Sequence, residues 1–315
     1  MARALAVLLL LAVLPGCGPQ HPVADPPAEL VVAAGERSGV YYRYGQGLAE
    51  ALAEALPDSA VSAVVTSGSV DNIERLARGD ADVAFALADT AADAVSGTGA
   101  FPRPVALRAL ARLYTNSVHV VVPSGSPVQR VGDLAGLRVS TGGPGSGTEV
   151  TAARVLAAAG LAGPDDVRRQ RLDLTASVTA LRAGEIDAFF WVGGLPTRTV
   201  QELAATVPVR LLDLEPLLDT LRSRYPVYAP GTVPAGTYGI ADPVVTLLVR
   251  NVLLVDAALP ADLVEAMTGA VFAEQQRLAE GTRAARTVDA RSAVLTQPVP
   301  LHEGALRWYS ADAMG

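Results

Sequence analysis

The chain has 315 residues, of which 50% are hydrophobic and 18% charged, and it carries a net charge of −7. That length buries a large core in one big domain or two lobes, and the composition is that of a folded protein rather than a disordered one. The acidic balance argues against nucleic acid, which asks for a basic stripe, and against attraction to anionic lipid.

Chain order begins with "MARALAVLLLLAVLPGC", a basic start at Arg3 and a short apolar run that ends in Leu14-Pro15-Gly16-Cys17. The run is shorter than the roughly 20 residues of a spanning helix and fits a secretory signal, residues 1–17. The ending resembles a bacterial lipobox, in which Cys17 is lipidated and becomes the mature N-terminus. Cys17 is the single cysteine, so no intramolecular disulfide and no cysteine-based metal site can form. The next segment, 18–28, is Pro-rich and reads as a tether.

Strands and helices then alternate. Residues 30–35 read as a strand, 40–56 as an amphipathic helix, 61–67 as a strand, and "SVDNIERLARGD" as a helix capped by Ser69. "ADVAFALA" is a third strand, and a helix opens at Asp89. This β-α-β-α-β run implies a parallel sheet covered on both faces. "LRALARLYTNSVHVVVP" (107–123) is too long for an ordinary strand of about 5–6 residues. Its polar centre, Tyr114-Thr115-Asn116-Ser117, suggests a strand that leaves one sheet and enters another.

A second alternating set follows. "LRVST" and "VRRQRLD" read as strands, "TASVTALRAGE" as a helix, "IDAFFWVG" as a strand and "PTRTVQELAAT" as a helix with Pro196 in its first turn. "PVRLLDL" is a short strand. "VVTLLVRNVLLVD" (244–256) is again long with a polar middle, and reads as the return crossing. A long helix over 261–281 and a short tail complete the chain. "NIERLARGDADVAFALAD" and "SVTALRAGEIDAFFWVGG" echo one plan of helix, Gly-Asp/Glu turn and strand. Two α/β lobes of similar construction, joined by two crossing strands, are expected: 29–117 with 253–315, and 118–252. The ligand of such sheets sits at strand C-terminal ends beside helix starts.

"RVSTGGPGSGTEVTAARVL" runs from a strand through a glycine turn into a helix, a geometry that offers backbone N–H groups to an anion. The phosphate-loop lysine is missing, and the chain holds no lysine at all. The loop therefore reads as a cradle for a carboxylate, or as a plain tight turn. Ser38 and Gly39 stand at another helix start where a carboxylate meets donors. Tyr41 and Tyr42 either wall a cleft or fill a core, Tyr44 is packing, and Trp191 is either a lid or a core residue. Enzyme chemistry is poorly supported. Ser146 lacks the outer glycines of a nucleophile elbow, His119 reads as a satisfied strand histidine, and no metal-binding spacing occurs.

These residues carry a resemblance. "GVYYRYGQGLAEAL", "TSGSVDNIERLARGDADVAFALAD", "GGPGSGTEVTAARVL", "LRAGEIDAFFWVGGLPT", "VPAGTYG" and "PVPLHEGALRWY" are similar to the TAXI family, the extracytoplasmic solute receptors of TRAP transporters. The resemblance implies a bilobal periplasmic-binding-protein-like fold of type II and a small carboxylate ligand such as glutamate or a related organic acid. It further implies delivery to a TRAP-type membrane permease; no cofactor is expected, and a monomer is expected, held by the lipid at Cys17 to the outer face of the cell membrane. By position, contacts would come from Ser38, Gly39, Tyr41, Ser69, Asn72 and Asp89 of one lobe. The other lobe would supply Ser146, Gly147, Thr148, Gly193 and Pro196. Two departures stand out. Glu36 and Arg37 replace small residues in the first loop, and "ALAD" before Asp89 points to a drier pocket. A ligand sensor for a signalling partner and an enzyme on the same scaffold are the rival readings.

Overall fold

The computed structural model describes residues 23, 25–37, 39–273 and 288–312. The signal segment with Cys17, and Ser38, lie outside the described residues. So do residues 274–281 of the expected long helix.

The first lobe starts with β1 (Glu29–Ala33), α1 (Val40–Ala55), β2 (Ala60–Val64), α2 (Ser69–Arg78), β3 (Val83–Leu87) and α3 (Ala88–Ser96). β1 pairs in parallel with β2 and with β3, as the alternation predicts. β4 (Leu107–Pro123) and β10 (Val244–Asp256) are the two long strands, and they pair antiparallel with each other. Between them lie β5 (Arg138–Ser140), α4 (Gly147–Ala158), β6 (Arg168–Gln170), α5 (Leu174–Ala183), β7 (Ala188–Gly193), α6 (Arg198–Ala204), β8 (Val209–Leu211), α7 (Leu218–Arg224) and β9 (Ala229–Val233). The chain returns with α8 (Ala261–Ala273), α9 (Ala290–Ala293) and α10 (Glu303–Asp312).

All strands join one path, β2-β1-β3-β10-β4-β7-β5-β6, with β8 on β4 and β9 on β10. The long strands carry the sheet from lobe to lobe. The C-terminal half of β10 lies against β3 while its N-terminal half takes β9. The later half of β4 pairs with β7. In the first lobe α1, α8 and α10 bury one face of the sheet, and α2 and α3 the other. In the second, α4 covers one face and α5 with α6 the opposite one. This is a bilobal α/β fold of the type II kind.

The internal echo has a structural meaning. α2 and α5 both end on a left-handed glycine, Gly79 (φ 73°) and Gly184 (φ 71°). That conformation costs a side chain energy and is free to glycine, so each helix stops at the same point of the plan. The aspartate that follows does the same job twice. Asp82 accepts the N–H of Val31 at 2.7 Å, and Asp187 accepts that of Arg138 at 2.9 Å. Asp82 pins the middle of β1 and Asp187 the start of β5, in each case the neighbouring parallel strand.

Four expectations need correction. Ser69 does not cap α2: the cap position is Gly68, and the Ser69 hydroxyl instead accepts the N–H of Leu87 at 3.0 Å. Pro196 lies outside the first turn of α6, which opens at Arg198. α3 begins one residue early, at Ala88. The expected C-terminal tail holds the helix α10, whose Ala305 and Tyr309 are buried against the first lobe. A tail rich in polar residues became a helix because one apolar stripe found a partner in α8.

Candidate functional site

Three helix starts converge between the lobes. α1 opens after Gly39 without a side-chain cap. α2 opens after Gly68, whose φ of 121° is open to glycine but strained for other residues. α4 opens after Ser146, whose side chain caps it. The Ser146 hydroxyl accepts the N–H of Glu149 at 3.1 Å, and the Glu149 carboxylate accepts that of Gly145 at 3.1 Å. The glycine-rich loop is thus held rigid by its own Ser-x-x-Glu, with Arg171 clamping Glu149 from outside.

The lobes meet along this line. Gly145 of the second lobe turns its carbonyl to the first turn of α2, where it accepts from Val70 at 3.1 Å and from Asp71 at 3.2 Å. That contact uses the positive end of α2, and α1 and α4 keep uncommitted donors. Gly147 is pressed against the first lobe so closely that a Cβ there would stand 2.6 Å from both Leu87 Cδ1 and Ser69 Oγ. The structure is that of a closed cleft.

Inside it lies a cavity of about 50 Å³, lined from both lobes. Of the residues expected at the ligand, Gly39, Tyr41 and Ser69 of the first lobe line it together with Ser146, Gly147, Thr148 and Gly193 of the second. The Thr148 hydroxyl accepts the N–H of Val192 at 3.3 Å, which leaves its proton to donate. Trp191 is also part of the wall, and its indole N–H donates to Thr197 at 2.9 Å. Leu87 supplies the apolar patch foreshadowed by "ALAD".

Three expected residues stand elsewhere. Asn72 is fully buried, and its amide is committed to the carbonyls of Ala34 and Phe85 and to the Thr66 hydroxyl, which it accepts. It ties α2 to the end of β1 and to the middle of β3. Pro196 is exposed on the loop beyond β7. Asp89 is fully buried in a separate knot between the lobes, where it accepts from Tyr228 at 2.7 Å and Thr151 at 3.0 Å and pairs with Arg154 at 3.2 Å. Arg154 also binds Asp93 and lies 4.0 Å over the Tyr225 ring. Burial opposes its charge, but Asp89 and its neighbours more than offset this and hold the guanidinium protonated.

Among the described residues the lining holds one carboxylate and no lysine or arginine. The carboxylate is Glu36, which reaches across to the N–H of Leu174 at the start of α5, 3.4 Å away. Burial pushes its pKa up to about 7, the Leu174 N–H opposes the rise, and the charge of Asp173 adds to it. His119 is fully buried and bonded at both ring nitrogens, to the Trp191 carbonyl and to the Tyr238 hydroxyl. Burial holds its pKa down at about 4. Among the described residues no cluster of histidine, cysteine or carboxylates suits a metal ion.

The floor of the cavity was missed by sequence reasoning. It is made by Tyr114 and Asn116 of β4. The only signal was the polar centre of that strand, matched by the polar Arg250-Asn251 of β10. Asn251 falls where the β4–β10 register shifts, and this irregularity brings its amide to Asn116 at 3.2 Å.

The family of NMT1-like proteins has a sequence model that matches residues 32–311 of the chain. Among solved structures, the chain is similar to XAC2383 from Xanthomonas citri bound to ATP, at 11% identity and a TM-score of 0.56, over 90% of this chain and 95% of that one. It is also similar to the alkanesulfonate-binding protein SsuA from Xanthomonas axonopodis pv. citri bound to MOPS, at 20% identity and a TM-score of 0.50, over 92% and 93%. An ancestral arginine-binding protein bound to arginine matches at 16% identity and a TM-score of 0.50, over 80% and 97%. At these identities the likeness is one of fold.

Proposed function

The chain belongs to the NMT1-like family, and from that premise we propose that it is an extracytoplasmic solute-binding lipoprotein of the TAXI kind. It captures a small carboxylate, a glutamate-like amino acid or an organic acid, between its lobes and delivers it to a TRAP-type permease. The protein works as a monomer, anchored through Cys17 and spaced from the membrane by residues 18–28. The ligand, rather than any covalent chemistry, is what the cleft handles.

One observation carries the reading. The starts of α1 and α4, one from each lobe, keep backbone donors beside one cavity whose described lining holds no basic side chain. Backbone N–H groups and the protons of Ser146 and Thr148 satisfy a single or double negative charge, and a polyphosphate would exceed what they balance. A ligand held by both lobes favours the closed form by its differential affinity for closed over open. Solute-binding relatives of this fold, such as the sulfonate- and arginine-bound proteins above, lend the reading its general outline.

The test is mass spectrometry of native protein for a bound acid, followed by calorimetric titration with L-glutamate. Each charge-assisted hydrogen bond is worth about 1.5–3 kcal/mol. Replacing Ser146 by Ala and Thr148 by Val together is expected to weaken binding by roughly tenfold to several hundredfold. The Ser146 change also removes the cap of α4, at about 1 kcal/mol of stability. Unchanged affinity in the double variant sinks the site assignment. Turnover of the bound acid by pure protein moves the case to an enzyme.

A further inference from the structure

Two buried polar atoms on residues that line the cavity have no partner among the described residues: Asn116 Oδ1 and the Tyr114 hydroxyl. Their side chains are 4% and 3% exposed, so water from outside does not satisfy them. A buried, unmatched acceptor is costly, and native proteins keep one where something else completes it.

The identity of the unmatched atom follows from its neighbours. The Tyr114 carbonyl can only accept, and it takes the Asn251 Nδ2–H at 2.9 Å. Asn251 Oδ1 therefore points the other way, where it accepts the Tyr41 hydroxyl and the Asn116 Nδ2–H. Asn116 must present its nitrogen to Asn251, so its oxygen is the atom left unmatched. Tyr114 and Asn116 stand two apart on β4, on the same face of the strand. Both residues line the cavity that the starts of α1 and α4 also line, so an unmatched acceptor and an unmatched hydroxyl belong to its wall.

We infer that the ligand brings a hydrogen-bond donor, a hydroxyl or an ammonium, to Asn116 Oδ1, so that the cleft selects donor-bearing small acids over their plain counterparts. This rests on the carboxylate reading above and deepens it. The ligand's carboxylate meets the starts of α1 and α4, and its substituent completes the floor. A plain acid leaves the Asn116 oxygen buried and unpaired in the closed form, and sites built around a hydrogen bond reject analogues that lack it. Asn116 is a specificity-determining residue, and Asn251 positions its amide.

The experiment is calorimetric titration of ligand-free protein with two matched series: propionate, lactate and alanine, and glutarate, 2-hydroxyglutarate and glutamate. Wild type is expected to bind a hydroxy or amino member at least tenfold more tightly than the plain acid of the same length. Comparison of the hydroxy and amino members tells which donor the floor takes. Asn116→Leu is expected to lose most of that ratio. Equal affinity of wild type for plain and substituted acids overturns the inference and leaves the carboxylate reading standing. A full ratio in folded Asn116→Leu overturns it as well. If no member of either series binds, the carboxylate reading falls and the inference falls with it. Should Asn116→Leu fail to fold, the wild-type ratio decides alone.

Discussion

Glu36 and His119 set opposing responses to pH. Glu36 has a folded pKa of about 7 against an ordinary 4.5, so the folded protein binds its proton more tightly than the unfolded chain does. Its carboxyl costs nothing below pH 4.5, and stability is lost as pH rises through 7, up to on the order of 3 kcal/mol. His119 has a folded pKa of about 4 against an ordinary 6.5. Here the unfolded chain binds the proton more tightly, and stability is lost as pH falls from 6.5 through 4, by a similar order. Between pH 4.5 and 6.5 the two largely cancel. Asp173 adds to the Glu36 effect, and Arg37 and Arg171 share its groove. In Glu36→Gln the loss above pH 4.5 should vanish. The Tm difference from wild type is expected to be small at pH 4 and to widen in the variant's favour until about pH 7. A difference that does not vary with pH removes Glu36 from the account.

α4 meets α2 and β3 where neither partner tolerates a larger residue. Gly147→Ala should leave the second lobe well folded, since alanine suits a helix better than glycine does. Its methyl group, however, would stand 2.6 Å from Leu87 and Ser69 of the other lobe. Closure has to yield: ligand affinity is expected to fall by tenfold or more, and the Tm of the free protein to fall with it. Calorimetry on the variant checks both; wild-type affinity would mean that the seam can relax around a methyl group. The repeated helix–glycine–aspartate unit makes a companion point about elements. The sequence echo identified two equivalent units, and the structure shows why the aspartates recur: each fastens a parallel strand that has no hairpin to hold its register.

Across the whole molecule, the lobes are joined by more than the crossing strands. Asp89 and Asp93 of the first lobe share Arg154 of the second, with Tyr228 and Thr151 completing the set. Arg154 is 9% exposed and Asp89 0%, so loss of the arginine strands a carboxylate out of water. Breaking such a pair from one side typically costs about 3–5 kcal/mol. Arg154→Met is expected to lower the Tm by several degrees and to enlarge the radius of gyration of ligand-free protein in X-ray scattering. Adding Asp89→Asn should recover part of the loss, because the stranded charge is gone. An unchanged Tm and radius in Arg154→Met would show that the knot is not what holds the lobes together.

Much of this was legible in the chain itself. Periodicity marks β4 and β10 to the residue, because a strand buried on both faces reads as a continuous apolar run that only its crossing point interrupts. The starts of α1 and α4 were legible because a helix start is a local feature, although the cap expected at Ser69 was not the one the chain uses. β9, α7 and α10 were not, since short or polar segments gain their order from packing that no local pattern encodes. Asn72 and Asp89 looked like ligand residues by position, yet their side chains turn to a strand end and to an arginine 65 residues further on from Asp89, in the opposite lobe. Tyr114 and Asn116 became a floor only when Asn251, on a strand far along the chain, took one end of the Asn116 amide and left the other bare. The sequence by itself determined which elements form and where donors cluster, because those follow from neighbours in the chain. Which polar atoms remain unmatched for a ligand was decided by tertiary structure alone, because a hydrogen bond is spent or spare only once both of its partners have been placed.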